Sequence, residues 1–365
     1  MPLSAVNPSQ YDQLLDQKAA KTRELLAQFD PPAPELFPST PDRYRMRAEF
    51  RMWHDGGQLN YVMFRKDDPR TPVPVIEFPI ACSAIQTLMP QLLGRLTHQP
   101  VLRERLFQLE FLSTLAGDTL ITLIYHRKLD DEWHAAAEAL SKSLEVEVIG
   151  RSRKQKRVIG RDYVEERLEI SGRSYSYRQY EQAFTQPNAK LNISMIEWAC
   201  QCGATAGGDL LELYCGNGNF TLPMSRHFDR VIATEMSKTS IRAARENTLA
   251  NAIENIEVIR LSAQEVTQAM NGEREFRRLA DLSQPLEAYS LNTVFVDPPR
   301  AGLDPATEKM VAAFDKIIYI SCNPETLAEN LATLCATHEI VRFALFDQFP
   351  YTHHMECGVF LVRKG

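Results

Sequence analysis

The sequence predicts an α/β protein of two parts: an α+β domain with an antiparallel sheet, then a Rossmann-like domain with a mostly parallel sheet. In the first part, apolar and polar residues alternate with period two, as in "RMRAEFRM", which is typical of half-buried antiparallel strands. In the second part, near-continuous apolar runs such as "DLLELY" and "NTVFVD" are separated by helical patterns, which indicates parallel strands covered on both faces. We therefore predict one domain over residues 1–183 and another over residues 184–365.

Turn and capping signals place the elements of the first domain. Asn7-Pro8 predicts a helix start, and five prolines within residues 31–41 predict a stiff connector after the helix ends. Asp55-Gly56-Gly57 and Ala116-Gly117-Asp118 each predict the bend of a hairpin, and Asp130 predicts a helix cap. A further helix is expected over residues 83–97, and further strands are expected near residues 145–150, 157–160, 163–170 and 174–180.

The composition is that of an ordinary globular protein, with 365 residues, 44% of them hydrophobic and 24% charged. The formal net charge of −6 disfavours a general nucleic-acid coat protein but allows a local basic surface. No apolar run approaches the roughly 18–20 residues that a membrane span needs. We expect a cytoplasmic monomer that does not bind membranes.

Metal and disulfide sites are not predicted. The seven cysteines are scattered and include no C-x-x-C pair, which disfavours a disulfide framework, a structural zinc site and an iron–sulfur site. His353, His354 and Glu356 lack the i, i+4 spacing that places two imidazoles on one face of a helix, so we predict no metal there.

A glycine loop follows the first strand of the second domain, in "LELYCGNGNF". Gly216 and Gly218 stand at a strand-to-helix turn, where parallel sheets bind ligands. Glu235 ends the next strand about 20 residues later, where an acid contacts ribose hydroxyls in such folds. Phe220 and Thr221 fit the third position of a dinucleotide fingerprint poorly and favour a ligand without phosphates, such as S-adenosylmethionine. A plain tight turn is the alternative.

Three further signatures follow later strands of this sheet. Asp297-Pro298-Pro299 predicts a rigid lip beside a planar base, or simply a strand stop. Cys322 follows the next strand and should face the same crevice, either as a small core residue or as a nucleophile. Glu356 precedes the last strand and is a candidate general base or a solvated loop acid.

With these signatures in order, the chain resembles the RNA uracil-5 methyltransferases, most closely the branch that forms ribothymidine in the T loop of tRNA. "YRMRAEFRMWHDG", "YHRKLDDEW" and "FDQFPYTHHMEC" resemble that branch, so the likeness covers nearly the whole chain. Ribosomal-RNA relatives usually carry an accessory barrel and a cysteine cluster, and neither is found in this sequence. The matching strings are "FTQPN" (184–188), "LYCGNGNF" (213–220), "VDPPRAGLD" (296–304), "ISCNPETL" (320–327) and "HHMECGVFL" (353–361).

The resemblance implies roles for individual residues. Cys322 would be the nucleophile and Glu356 the proton acceptor. The expected product is 5-methyluridine at position 54 of tRNA, and residues 1–183 would be an RNA-binding domain. The residues implied to bind S-adenosylmethionine are Gln186, Tyr214, Gly216, Asn219, Glu235 and Asp297.

The implied chemistry explains these residue types. Carbon 5 of uracil is a weak nucleophile, and addition of a thiolate to carbon 6 activates it. A base must then remove the proton from carbon 5, so that elimination frees the thiol. This reaction needs an accessible cysteine and a carboxylate, and it needs no metal.

Basic residues of the first domain are the expected phosphate contacts. Arg45, Arg47 and Arg51 alternate along one strand, and "RSRKQKR" (151–157) crowds a short turn. Phe107 and Phe111 are either base-stacking residues or core residues.

Three alternatives stay open. The chain could methylate another atom of a nucleobase, which needs the loop and the lip but not Cys322 and Glu356. It could act on another RNA with a T-like loop. It could also act as an RNA-folding factor, either instead of catalysis or alongside it.

Overall fold

The computed structural model describes residues 6–65 and 67–365. The predicted first domain begins at residue 1, and its first five residues lie outside the described ranges. Two large sheets and one two-stranded sheet organise the described chain.

Strands and helices are interspersed along the described chain. The strands are β1 (Glu35–Phe37), β2 (Arg47–Asp55), β3 (Gln58–Phe64), β4 (Pro72–Pro74), β5 (Leu106–Ser113), β6 (Thr119–Tyr125), β7 (Glu147–Ser152), β8 (Gln155–Ile159), β9 (Tyr163–Ile170), β10 (Arg173–Tyr180), β11 (Asp209–Leu213), β12 (Val231–Thr234), β13 (Ile256–Ile259), β14 (Leu291–Val296), β15 (Lys316–Ser321), β16 (His338–Phe346) and β17 (Glu356–Arg363). The helices are α1 (Tyr11–Leu26), α2 (Ser83–His98), α3 (Pro100–Arg103), α4 (Asp131–Leu144), α5 (Ala189–Gly203), α6 (Thr221–Met224), α7 (Lys238–Ala250), α8 (Ala263–Met270), α9 (Pro305–Val311) and α10 (Pro324–Leu334).

The first large sheet has the order β4-β3-β2-β5-β6-β7-β8. Both predicted hairpins are confirmed, because β2 pairs with β3 and β5 pairs with β6 in antiparallel register. α4 connects β6 to the parallel strand β7, and Asp130 caps it by accepting from the backbone of Trp133 at 2.9 Å. The Trp133 ring lies so close to Gly150 that a Cβ there would come within 2.2 Å of it. A side chain at Gly150 would therefore push α4 off the sheet.

The second large sheet has the order β1-β16-β17-β15-β14-β11-β12-β13 and is parallel apart from β17. β17 is inserted between β15 and β16 and pairs with both in antiparallel register. Strand order reverses between β14 and β11, which are neighbours at the centre of the sheet. The carboxyl ends of strands at such a reversal border a crevice where ligands bind. The predicted Rossmann-like class is confirmed.

The amino-terminal segment lies against the second sheet, although the predicted boundary groups it with the first. β1 pairs in parallel with β16, and α1 packs against α10. The Glu35 carboxylate accepts from Arg342 at 2.8 and 2.9 Å and from the Trp198 indole at 3.1 Å. The proline-rich connector is therefore an edge strand of the second sheet as well as a linker. A strand of three residues is too short for a period-two pattern to reveal it.

The β9–β10 hairpin is a separate sheet that packs on α5 and α7. Its buried residues Leu168, Ile170, Tyr175 and Tyr177 belong to one hydrophobic cluster with strands of the second sheet. The hairpin thus joins the two halves of the molecule beside the crevice.

Candidate active site

The glycine loop leaves β11 in a conformation that few residues tolerate. Tyr214 has φ of 61°, and Gly216 and Gly218 have φ of 56° and 87°. A Cβ at Gly218 would also come within 2.5 Å of the Leu222 side chain. Positive φ at a non-glycine residue costs energy, and such strain is concentrated at functional sites. The loop brings its backbone close to the crevice at the end of β11.

Asn219 is held in this loop by an amide pair that the sequence did not reveal. Its side chain and that of Asn192 exchange two hydrogen bonds, at 2.8 and 2.9 Å. Asn192 is buried on α5, and the Tyr177 hydroxyl donates to the Asn219 carbonyl at 3.1 Å. The side chain and the backbone carbonyl of Asn219 are therefore both held by residues from outside the loop.

Glu235 lies at the end of β12 and ties the loop to that strand. Its carboxylate accepts from the backbone N–H groups of Met236 and Ser237 at 2.7 Å and from Gly216 at 3.3 Å. These bonds hold the acid beside the glycine loop, as its spacing in the sequence predicts.

A cavity lies between this loop, α5 and the β9–β10 hairpin. Its walls include eight polar side chains and the Tyr214 ring, and no lysine or arginine is found among the described residues that line it. A phosphate-bearing dinucleotide would find no cation in this cavity, whereas a positively charged sulfonium would face carboxylates. The eight polar side chains are Glu166, Gln179, Thr185, Gln186, Asn192, Asn217, Asn219 and Asp297.

Gln186 is oriented by Gln348, a second residue that the sequence did not single out. The Gln348 amide nitrogen donates to Oε1 of Gln186 at 2.7 Å. Gln348 is fully buried two residues after β16, and its own Oε1 finds no hydrogen-bond partner in the described structure. With its oxygen occupied, Gln186 has its amide N–H groups available to donate to a ligand in the cavity.

Glu166 connects the cavity to the first sheet. It is buried on β9 and accepts from the backbone of Leu115 and Ala116 in the β5–β6 turn, at 3.0 and 3.3 Å. Burial raises its pKa to about 7, although these bonds act in the opposite direction. No sequence motif marks this residue, because its partners lie about 50 positions away.

Asp297 directly follows β14 and lies at the cavity wall, as its place in the sequence predicts. Burial raises the pKa of its carboxyl to about 7. Glu212, buried on the adjacent strand β11, has its pKa raised to about 8 by burial and by the charge of Asp297. Two carboxyls with weakened acidity therefore lie at the centre of the sheet.

Cys322 and Glu356 are brought together by the antiparallel pairing of β15 and β17. Ser321 pairs with Cys357, so the next opposed positions are Cys322 and Glu356. Glu356 is only 4% exposed, and burial followed by the charge of Asp297 raises its pKa to about 8. Burial, Glu356 and Asp297 raise the pKa of the half-buried Cys322 thiol to about 11. The candidate nucleophile and base therefore adjoin, and the charge of Glu356 lowers the acidity of the Cys322 thiol.

The turn after Cys322 is fixed by Asn323. Its side-chain oxygen accepts from Glu325 N at 3.2 Å and its amide donates to the Arg300 carbonyl at 3.2 Å. Pro324 begins α10 at the first helical position. These contacts make the turn rigid and attach it to Arg300, which follows the Asp-Pro-Pro lip.

Cys322 opens into a second depression, beside the cavity that Asp297 lines. This groove lies between the Cys322 turn, the loop before β17 and α1. The expectation that Asp297 and Cys322 face one crevice is therefore refined: they line adjoining spaces and remain close enough to influence each other's charge.

Most of the predicted phosphate contacts in the first domain already have partners. Arg151 donates to Glu181 at 2.5 and 2.6 Å, and Arg157 donates to Asp131 at 2.9 Å. Exposed cations remain at Arg153 and Lys154. The sequence pattern alone could not show which side chains are engaged by acids from other strands.

A stack of three side chains stands on the first sheet. The Arg51 guanidinium lies 3.8 Å from the centre of the Phe107 ring, and this ring stacks on His126 at 4.0 Å. His126 is exposed and Phe107 is half-buried, whereas Phe111 is fully buried in the core. Of the two aromatic candidates, Phe107 is the one with an accessible face.

No group of three or more His, Cys, Asp or Glu side chains in the described ranges is arranged to hold a metal ion. Across the same residues, every helix is too short or too polar to cross a membrane.

The sequence is similar to known proteins of one family. The model of the family described as tRNA (Uracil-5-)-methyltransferase matches residues 10–364. A protein named tRNA/tmRNA (uracil-C(5))-methyltransferase from Stutzerimonas stutzeri strain A1501 is 55% identical over 364 residues, which is 100% of both chains. A protein of the same name from Saccharophagus degradans is 53% identical over 363 residues, covering 99% of both chains.

A solved structure shares the fold. It is the crystal structure of Pyrococcus abyssi tRNA (uracil-54, C5)-methyltransferase in complex with S-adenosyl-L-homocysteine. The TM-score is 0.74 at 20% sequence identity, and the match covers 96% of this chain and 83% of that chain.

Proposed function

The chain belongs to the tRNA (uracil-5-)-methyltransferase family, and on that premise we propose that it methylates carbon 5 of uridine 54 in the T loop of tRNA. The methyl donor is S-adenosylmethionine and the product is 5-methyluridine. The observation that carries the proposal is the opposed pair Cys322 and Glu356 beside a polar cavity whose described lining residues include no lysine or arginine.

The cavity suits S-adenosylmethionine, which supplies an electrophilic methyl group on a cationic sulfonium. Gln186, Asn219 and Asp297 offer donors and an acceptor on its walls, and Tyr214 and Gly216 offer a ring and a backbone surface. Glu235 adjoins the loop and is the acid assigned to the ribose hydroxyls. The acids Glu166 and Asp297 favour a cation, and no lysine or arginine among the described lining residues opposes it.

Cys322 acts as the nucleophile. Its thiolate forms a bond between Sγ and carbon 6 of uracil, and the electron pair of the 5,6 double bond moves toward the carbon 4 carbonyl as an enolate. Carbon 5 becomes nucleophilic and attacks the methyl carbon, whose bond to the sulfonium sulfur breaks and leaves S-adenosylhomocysteine. The covalent intermediate divides one difficult substitution into easier steps.

Glu356 acts as the base. After methylation it takes the proton from carbon 5, the double bond re-forms, and the bond from Sγ to carbon 6 breaks. A carboxyl with pKa raised to about 8 is a stronger proton acceptor than an exposed glutamate once it is ionised. The same burial that weakens its acidity therefore suits it to this role.

The RNA substrate must present the uridine outside its stack, which costs a few kcal/mol. Loops of RNA are recognised by stacking on aromatic and arginine side chains. The Arg51–Phe107–His126 stack supports base contacts on the first domain, while Arg153 and Lys154 support phosphate contacts.

We expect the protein to act in the cytoplasm as a monomer. Sedimentation analysis measures the oligomeric state.

The decisive experiment transfers labelled methyl from S-adenosylmethionine to unmodified tRNA and identifies the labelled nucleoside. Label in 5-methyluridine at position 54 is expected, and tRNA with cytidine at that position is the control. Label in another nucleoside would refute the reaction, and label retained by the control tRNA would refute the site.

The covalent step is tested with tRNA that carries 5-fluorouridine, because fluorine cannot leave as a proton. A denaturant-resistant complex is expected with the native protein and not with Cys322→Ala. Activity that survives in Cys322→Ala would overturn the assignment of the nucleophile.

A second substrate is favoured by the names of the relatives, which include tmRNA. We propose that another RNA with a T-like loop is methylated at the same site. Methyl transfer to a tmRNA transcript, inhibited competitively by tRNA, is the expected result.

A further inference from the structure

The groove at Cys322 has a wall that the proposed mechanism does not use, namely the exposed face of α1. The groove has a volume of about 590 Å³, which is in the range of ligand clefts. Leu14, Lys18 and Lys21 come from α1, and Arg300 and Cys322 come from the opposite side. A helix at the amino-terminal end of the described chain therefore borders the reactive sulfur.

α1 is fixed in this position by buried contacts. Lys18 forms an ion pair with Asp347 and donates to the Phe349 carbonyl at 3.1 Å. The Lys18 and Asp347 side chains are 11% and 1% exposed. The Tyr11 ring meets that of Tyr351 edge-on at 6.1 Å. Such contacts make α1 a rigid wall rather than a loose arm.

Lys21 lies one turn after Lys18 on the same side of α1, but it differs from Lys18 in exposure and in ion pairing. It is exposed, and it forms no ion pair with any residue of the described ranges. Arg300 is likewise exposed and free of ion pairs there. The one acidic residue among the described groove residues is Glu325, which stands at the start of α10.

The charge of the groove also acts on His354. Its pKa is lowered by burial and then by the positive charges of His353, Arg300 and Lys18. Several cations are thus directed toward one small space, which favours an anionic occupant.

We propose that Lys21 and Arg300 bind the phosphates that flank the reactive nucleotide, so that α1 is an RNA-binding wall of the nucleophile groove. The occupant is a single-stranded RNA segment. A nucleotide whose base reaches Cys322 has a phosphate on each side, and these phosphates must lie in the groove. This inference rests on the proposed function, and it gives the amino-terminal helix a role in holding the substrate.

The test compares Lys21→Ala with Arg23→Ala. Both residues are exposed cations of α1, but Arg23 does not line the groove. The dissociation constant for unmodified tRNA is measured from about 0.05 to 0.3 M salt, with S-adenosylhomocysteine binding as a check of folding. Loss of one phosphate contact lowers the log–log salt slope by about 0.7 for a single strand.

We expect Lys21→Ala to weaken tRNA binding about three- to tenfold and to lower the slope by about 0.7. Lys21→Arg should retain both values, Arg23→Ala should match the native protein, and Arg300→Ala should resemble Lys21→Ala. The affinity for S-adenosylhomocysteine should stay unchanged in all four variants.

Equal slopes for Lys21→Ala, Arg23→Ala and the native protein would overturn the inference. Competition by polyaspartate as strong as that by RNA of equal charge would also overturn it, because the occupant would then be an acidic protein segment. The proposed function fails separately, if the native protein transfers no methyl group to uridine.

Discussion

Two glutamates of this protein are buried to nearly the same degree in different surroundings. Glu181, after β10, is 5% exposed and Glu356, at the start of β17, is 4% exposed. Glu181 accepts two hydrogen bonds from Arg151, at 2.5 and 2.6 Å, and a third from Thr122 at 3.1 Å. No side-chain hydrogen bond to the Glu356 carboxylate is found within the described residues, and its closest charged influence is another acid, Asp297.

The difference teaches that burial alone does not tell what a carboxylate does. A buried charge with a complete set of partners holds elements together, and removing one partner is costly. A buried carboxyl without partners costs stability when ionised and has a raised pKa. Folded proteins retain such groups at reactive sites, where a stronger base is useful.

Among the substitutions that test this difference between the two glutamates, the largest expected effect is on catalysis. Glu356→Gln should lower turnover about 10²- to 10⁴-fold, because the carbon 5 proton then has no acceptor. Single-turnover transfer of labelled methyl, followed by denaturing electrophoresis, should show the RNA–protein adduct accumulating. Turnover within about twofold of native would remove Glu356 from the mechanism.

The next effect concerns stability in the first region. Glu181→Ala should destabilise the protein by about 3 kcal/mol, since Arg151 loses its partner in a partly buried site. Urea unfolding measures the change, and a double-mutant cycle with Arg151→Ala isolates the pair. A coupling energy near zero would show that Glu181 is not held in the way the two short hydrogen bonds indicate.

An opposite and smaller effect on stability is expected for Glu356→Gln. The pKa of Glu356 is about 8 in the folded state against an ordinary value of 4.5, so stability falls as pH rises through that window. Below pH 4.5 the group is protonated in both states and contributes nothing. Gln should therefore raise stability by about 1–3 kcal/mol at pH 8.5 and leave it unchanged at pH 4.

Thermal melts of the native protein and Glu356→Gln at the two pH values measure this difference. The same gain at both pH values would mean that it arises from packing and not from charge.

The smallest effect concerns the orientation of Gln186. Gln348→Leu should raise the dissociation constant of S-adenosylhomocysteine about three- to tenfold, because Gln186 loses the hydrogen bond that orients its amide. Calorimetric titration measures it, with Gln13→Leu, an exposed amide on α1, as the control. Unchanged affinity would show that Gln186 is oriented without Gln348.

Much of the fold could be predicted because its signals are local. Apolar runs located all seven strands from β11 to β17, and Asp130 caps a helix as the sequence indicates. β1 was missed, because three residues among prolines carry no periodicity.

The residues of the candidate site were likewise predicted only where their sequence signals are local. Gly216, Asp297, Cys322 and Glu356 stand beside turns and strand ends that a sequence shows, and their roles stay predictions until the variants are assayed. Gln348 was not found, because it meets Gln186 across 162 positions of the chain.

The sequence by itself determined where strands occur along the chain and which chemical groups follow them, since periodicity and turn chemistry act over a few neighbouring residues. Only the tertiary structure decided which carboxylates are partnered, that Cys322 opposes Glu356, and that α1 borders the reactive groove. Burial and Coulomb interactions depend on atoms brought together from distant segments. A residue type therefore indicates what a group can do, and its folded surroundings decide its pKa and its partners.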